Sequence, residues 1–314
     1  MAVHGDANAA NNAWFQQVLE EQRTELDILR TKYENLQREW DNQQEHLGRL
    51  QGEAYKLRNQ LQTQSAYCAS LGAIMGHLVW KSSRLQSVVE LLLSTNKLPE
   101  FFCLVTSTLT SFMETYGRDL PDVKTDETQF ILSMGGIVSN LAAVSEGRQF
   151  IVSDQNGKEL IEQIIKLMPT IPTVSGDPLK RILLMVLYNI SINQSGIVMI
   201  QDQKPLLFAL SQMIVSDLTP ELKVLALRLL ESITFEIPNG LILLKIQQQI
   251  PKDRLEILKD STDAETRQYA SNILSNLKKA EASLGKVPLT STGPGVATYV
   301  PYDDCVLAQK AERS

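Results

Sequence analysis

Apolar residues recurring every seven positions constrain the first sixty residues more tightly than any other feature. Leu19, Leu26, Tyr33, Trp40, Leu47, Ala54 and Leu61 form one series, and Phe15, Leu29, Leu36, Leu50 and Leu57 each fall three residues after an a-type position in the same register. This is the a/d seam of a coiled coil, carried on one stripe of a helix. No proline interrupts residues 14–64, which are dense in Glu, Gln, Arg and Leu, all good helix formers.

Gln22, Gln43 and Gln64 break the d series, lowering stability while restricting register. Glu25 and Glu53 occupy g positions, and Arg30 and Arg58 the e positions five residues later, a spacing that pairs opposite charges between parallel strands. A solitary helix would leave such a stripe in water, so residues 14–64 are expected to pair with a second copy or with a foreign helix. Folding back onto the rest of the chain is the competing arrangement. Fifty residues at 1.5 Å each make an arm of about 75 Å. Gly48 and Gly52 weaken it locally, and residues 1–13 are expected to be disordered.

From Ser65 to Leu284 the pattern widens to broad apolar helical faces separated by short polar loops. Pro99, Pro121, Pro169, Pro172, Pro178, Pro205, Pro220, Pro238 and Pro251 fall between the apolar runs, where they bound helices without breaking one. A short phrase recurs four times: Val138-Ser139-Asn140-Leu141-Ala142, Leu187-Tyr188-Asn189-Ile190-Ser191, Leu230-Glu231-Ser232-Ile233-Thr234 and Ser275-Asn276-Leu277-Lys278. The spacings are 189−140=49, 232−189=43 and 276−232=44, close to the period of roughly 40–47 residues of armadillo and HEAT units. The loop around Thr170 to Pro178 stretches the first interval.

The fold class read from these patterns is all-α, with an N-terminal coiled-coil helix followed by an armadillo-like helical solenoid over residues 65–284. HEAT packing is the near alternative. Residues 67–116 read as a degenerate first unit and residues 260–284, with Tyr269, Ile273 and Leu277, as a closing cap. The tail, residues 285–314, holds Pro288, Gly293, Pro294, Gly295 and Pro301, a composition expected to remain disordered; Tyr299 to Leu307 is the one stretch in it that reads as a short docking motif.

In armadillo repeats, Asn within the third helix lines a concave groove. Side chains one turn earlier share its face, which places Gly136, Met185, Arg228 and Asn272 beside Asn140, Asn189, Ser232 and Asn276. The candidate partner-binding groove is therefore Asn140, Met185, Asn189, Arg228, Ser232, Asn272 and Asn276, with Asn amides available to the backbone of an extended peptide. The competing role for each Asn is to tie adjacent helices together. Importin-type armadillo proteins carry Trp at the earlier position to clamp basic peptides; Gly136 and Met185 stand there instead. Arg228, with Lys223 and Arg267 near it in the repeat scheme, suits acidic or phosphorylated ligands.

Other function classes fare worse. A net charge of −6 with a pI near 5.3 argues against a surface built to coat phosphate backbones, so no direct nucleic-acid contact is expected. Cys68, Cys103 and Cys305 match no metal spacing, and no cofactor is expected. There is no leader-like segment and no apolar run near the roughly 20 residues that span a bilayer, so the expected class is soluble and free of membrane; the Asn189 and Asn193 sequons are read as incidental. His4 and His46 lie outside the globular part, leaving His77 with no nucleophile motif around it, and Gly135-Gly136 lacks a phosphate-loop context. A hydrolase or transferase is thus the weakest of the readings.

Dispersed clusters carry a family resemblance: Tyr67-Cys68, Leu78-x-Trp80, Phe101-Phe102, Asp126-Glu127-x-Gln129-Phe130, Gly136-Ile137-Val138-x-Asn140-x-Ala142-Ala143, Gly147-Arg148-x-Phe150-x-Val152 and Leu187-Tyr188-Asn189-x-Ser191-Ile192-Asn193. Together they resemble the heat shock factor 2-binding protein family, from about Ser65 to Asn193. The resemblance implies a meiotic adaptor in the nucleus, on meiotic chromosomes. Its armadillo domain dimerises and grips the breast-cancer type 2 susceptibility protein, and its N-terminal helix engages a meiotic coiled-coil co-factor. In that role it brings strand-exchange recombinases to double-strand breaks. Heat shock factor 2 is the alternative partner, with the chain sequestering a transcription factor through the same surfaces. The arm shares heptad logic rather than residues with that family, and the tail is not expected in it.

Overall fold

The structure, a computed structural model, describes residues 3–117, 119–216 and 219–284, with side chains from residue 13 onward. The expected tail, including Tyr299 to Leu307, lies outside the described residues. Thirteen α-helices and no strand occur among the described residues, and the chain divides into two compact units, residues 1–71 and 72–314.

The first unit is a single helical arm. Helix α1 runs from Val3 to Ser82, so it begins well before the expected start at Trp14 and continues past residue 64. Ala7, Ala9, Ala10 and Ala13 explain the early start, since alanine loses least on entering a helix. Every seam residue from Phe15 to Leu61 is exposed in the single chain, with Leu19 at 64%, Trp40 at 56% and Leu61 at 72%. The period of seven also outlasts its expected end: Cys68, Leu71, Met75 and Leu78 keep the register and are exposed. Within the arm, Arg30 pairs with Glu34 one turn on, a contact of a few tenths of a kcal/mol, about 0.3–0.5.

The second unit is a stack of three-helix repeats joined by short corners. Helices α2 (Gln86–Leu93), α3 (Leu98–Tyr116) and α4 (Asp126–Ala143) make the first; α5 (Ser145–Ser153), α6 (Gln155–Leu167) and α7 (Asp177–Ser191) the second. Helices α8 (Gln194–Ile200), α9 (Lys204–Val215) and α10 (Pro220–Phe235) make the third; α11 (Gly240–Gln249), α12 (Lys252–Leu258) and α13 (Ala264–Leu284) the fourth. The prolines do what their positions predict: Pro99, Pro178, Pro205 and Pro220 each lie in the first turn of a helix, where the missing N–H has no partner to lose. Side-chain caps start others, with Thr125, Asp154, Asn193 and Asn239 accepting from N–H groups of the first turn.

One continuous core runs through all four repeats, from Phe102 and Leu109 through Leu141, Ile164, Leu184, Leu187, Leu210 and Leu230 to Ile273. The corner after each third helix is unusually tight. Gly147 stands seven residues after Asn140, and Gly196 seven after Asn189; a Cβ at either would strike the backbone carbonyl of Leu141 or Ile190. The same steric demand at the same offset is repeat geometry written into single residues. Arg148 closes the first of these corners by donating from Nη1 to the carbonyls of Ala142 (3.1 Å) and Ala143 (2.8 Å), groups left open at a helix end.

Residues 72–82 of α1 belong to this unit and lie against α4. A Cβ on Gly72 would meet the Phe130 ring, one on Gly76 the Ser133 side chain, and one on Gly136 the Trp80 indole. The first repeat thus comprises α2–α4 rather than the expected residues 67–116, and the end of α1 packs beside it, with Gly72, Gly76 and Gly136 allowing the close approach.

Candidate partner-binding face

Helices α4, α7, α10 and α13 pack one against the next, bringing the recurring phrase into a row across the repeats. The row's hydrogen bonds show what holds it there. Asn140 donates from Nδ2 to the Trp80 carbonyl (3.1 Å) and to Ser83 Oγ (2.8 Å). Asn189 donates to the Ser139 carbonyl (3.2 Å), and the Ser191 and Ser232 hydroxyls share a bond of 2.7 Å. Asn272 donates to Glu231 Oε1 at 2.6 Å. These polar groups therefore tie neighbouring helices together, engaging both amide N–H groups of Asn140 and one each of Asn189 and Asn272 within the fold. The reason is local: at half-buried positions between packed helices, an unpaired amide costs about 1–3 kcal/mol, so the nearest carbonyl captures it.

Asn276 differs. It has no hydrogen-bond partner among the described residues and lines an open cavity of about 840 Å³ at the end of the row. The cavity lies between the α7–α8 corner, the segment Phe235 to Pro238 after α10, and the last turns of α13. Its wall is mixed, and three of its apolar side chains stand in water: Phe235 is 72% exposed, Val198 66% and Ile192 54%. Gln201 shapes the floor by donating to the carbonyls of Ile233 (2.9 Å) and Glu236 (2.7 Å), pinning the chain where α10 ends.

Arg228 remains exposed, yet it is positioned. Its guanidinium carbon lies 4.1 Å from the centroid of the Tyr188 ring, and Tyr188 lines the cavity. Burial pushes the Tyr269 phenol above its ordinary range, an effect that Arg228 opposes, which puts two tyrosines and one cation in a single cluster across α7, α10 and α13. Met185 is half-buried and packs on the core. Arg267, grouped with Arg228 in the repeat scheme, donates instead to the Ser261 carbonyl of its own corner (3.0 Å).

The sequence pattern located Arg228; Tyr188 stood inside the phrase and Tyr269 in the closing cap without a ligand role, and Phe235 directly follows the phrase at Thr234. Among the described residues there is no group of three metal-ligating side chains, and no single helix is long and apolar enough to cross a membrane.

Stacked three-helix repeats with an open, partly apolar face define a solenoid of the armadillo type. An engineered protein of known crystal structure aligns with 68% of this chain and 78% of its own at a TM-score of 0.50 and 18% identity, a likeness of fold. The family model "heat shock factor 2-binding protein ARM-like domain" matches residues 69–195 and 204–282, and the chain belongs to that family. Mouse heat shock factor 2-binding protein is 29% identical over 275 residues, covering 85% of this chain and 80% of the relative. The match extends far beyond Asn193, where the resemblance in the sequence had faded.

Proposed function

We propose that this chain is a non-catalytic adaptor whose solenoid holds an extended segment of a partner protein, while the arm pairs with another helix. The observation that carries the reading is the cavity beside Asn276, where Phe235, Val198 and Ile192 stand in water next to the positioned Arg228. Exposed apolar side chains flanked by directed polar groups are what a peptide groove offers. Asn140, Asn189, Ser232 and Asn272 then act as struts that set the pitch of the groove, and Arg228 and Asn276 as the groups that meet the ligand.

The partner favoured by the family resemblance is the breast-cancer type 2 susceptibility protein, and the role is delivery of recombinases to meiotic double-strand breaks. A nuclear location on meiotic chromosomes and an oligomer built through the arm go with it, the arm joining a second copy or a meiotic coiled-coil co-factor. A second reading has its own support: the mouse relative is named for binding heat shock factor 2, which makes that factor the alternative partner.

Co-precipitation of the full chain from germ-cell extract tests both readings. Recovery of the susceptibility protein, lost at least tenfold in Arg228→Ala/Phe235→Asp, is the expected result; recovery of heat shock factor 2 alone transfers the function to the second reading. Equal recovery by the wild type and the double variant removes the cavity from the account.

A further inference from the structure

Between Phe15 and Leu71, helix α1 carries an apolar strip that the described residues of its own chain leave in water: Leu26 is 66% exposed, Leu36 65% and Leu61 72%. The strip spans 71−15=56 residues. At 1.5 Å per residue that is about 84 Å, and a width of roughly 10 Å makes it on the order of 800 Å², which is what each side of a stable interface buries. Monomeric proteins rarely leave so large an apolar surface uncovered.

The polar residues within the strip specify what covers it. Gln22, Gln43 and Gln64 all occupy d positions, 43−22=21 and 64−43=21 residues apart, three heptads each. Opposite a second copy aligned in parallel and in register, every Gln faces its own counterpart, and an amide can both donate to and accept from another amide. A slip of one heptad sets Gln22 against Leu29 and Gln43 against Leu50; a slip of two sets them against Leu36 and Leu57, leaving buried amides unpaired. A slip of three pairs some of them again but shortens the seam by 21 residues. Reversing one strand brings d positions against a positions, and the a series holds no amide. A foreign helix would need amides at the same three-heptad spacing, a condition that an identical arm meets by construction.

Charges flanking the seam select the same arrangement. The e positions hold Arg23, Arg30 and Arg58, whereas the g positions hold Glu25, Glu39 and Glu53 with Lys32. Parallel strands bring each g residue against the e residue of the following heptad, which pairs Glu25 with Arg30 and Glu53 with Arg58 and sets no like charges together. Antiparallel strands bring e against e and g against g, gathering arginines on one side and glutamates on the other. Within a single arm Arg30 meets Glu34 at 3.5 Å with both side chains more than half exposed, a surface contact that yields readily to a better one.

We infer that the arm's partner is a second copy of this chain, parallel and in register from Phe15 to Leu71. The inference rests on the reading of the arm as a pairing helix and names the helix it pairs with. Both chains then enter their solenoids at the same end of the seam, so a partner carrying two binding segments meets two grooves on one assembly.

Double electron–electron resonance on the full chain tests it, with a nitroxide at Thr24→Cys or at Asn59→Cys in a Cys68→Ala/Cys103→Ser/Cys305→Ser background. Both labelled positions are exposed and lie off the seam. The expected result is one short inter-copy distance, below about 35 Å, at either label, because neighbouring helix axes lie ~8–10 Å apart. The labels stand 59−24=35 residues apart along the arm, so in an antiparallel pair at least one of the two distances exceeds about 50 Å. Glu25→Lys/Glu53→Lys should reduce the dipolar signal at least threefold, and mixing those copies with Arg30→Glu/Arg58→Glu copies should restore it. A long distance at either label, no inter-copy signal in the parent protein, or a signal indifferent to the charge reversals would each overturn the inference. Such a failure leaves the arm to a foreign helix and does not touch the peptide groove, which co-precipitation tests separately.

Discussion

Arg228 rests its guanidinium on the face of Tyr188, 4.1 Å from the ring centroid, and so joins the third repeat to the second at the edge of the cavity. The contact is charge against aromatic quadrupole at an exposed position, worth about 0.5–1 kcal/mol. Its larger effect is to limit where an otherwise free guanidinium can point.

A double-mutant cycle measures that relationship. Arg228→Ala and Tyr188→Leu should each destabilise the chain modestly, with a coupling energy of about 0.5–1 kcal/mol in thermal or denaturant unfolding. Arg228→Ala should also weaken an acidic peptide ligand more than Tyr188→Leu does. Strict additivity would show that the stack positions nothing.

Gly136 and Trp80 form the second sensitive pair. No side chain fits at Gly136 without displacing the indole, and the Trp80 carbonyl is also an acceptor for Asn140. Gly136→Val should cost about 1–3 kcal/mol through overpacking. In a Trp14→Phe/Trp40→Phe background, the remaining tryptophan emission should shift to the red as Trp80 is pushed toward water; unaltered emission would place the damage elsewhere.

The heptad register makes Cys68 an a position, seven residues after Leu61, and its thiol is exposed. In a parallel, in-register pair of arms, two such thiols face each other across the seam. Mild oxidation of a Cys103→Ser/Cys305→Ser variant should therefore yield a covalent dimer on a non-reducing gel, abolished by Cys68→Ser. A monomer band throughout would favour a foreign helix or an antiparallel pair. Leu29→Glu/Leu50→Glu should lower the mass in light scattering while most of the helical signal persists.

Lys180 titrates against the fold. Burial holds its ammonium below the ordinary lysine range, with Asp177 opposing in part. The unfolded chain then binds this proton more tightly than the folded one. The charged form costs stability at neutral pH, and the cost is relieved as pH rises from the folded value toward the ordinary one near ~10.4. Lys180→Met should raise the melting temperature at pH 7 by a few degrees, on the order of 1 kcal/mol, and flatten the rise in stability that the wild type shows as pH climbs toward about 10.4. A lower melting temperature would mean that the ammonium serves a contact the apolar chain cannot replace.

Asn189 illustrates how far the sequence alone could be followed. Its recurrence with Asn140 marked a repeat, and the repeat is there; its donor goes to Ser139, fifty residues earlier. Position in a repeat is a local property, whereas the partner of an amide depends on which carbonyl a neighbouring helix brings near. The same holds for Arg228, whose exposure was legible as a charge on a helix face but whose ring partner sits forty residues away on α7.

What the residues determined by themselves was periodic: the seam of seven, the broad apolar faces, the prolines at helix starts and the interval of 43 to 49 residues between phrases. Those features act over one or two helical turns, or repeat whole, so they survive without knowledge of contacts. Only the tertiary structure decided that Trp80 covers Gly136 and that Phe235, Ile192 and Val198 converge beside Asn276. Each of those brings together side chains some forty to eighty residues apart or more than a helix's own period can specify, and such meetings are set by how repeats stack rather than by any one stretch of chain.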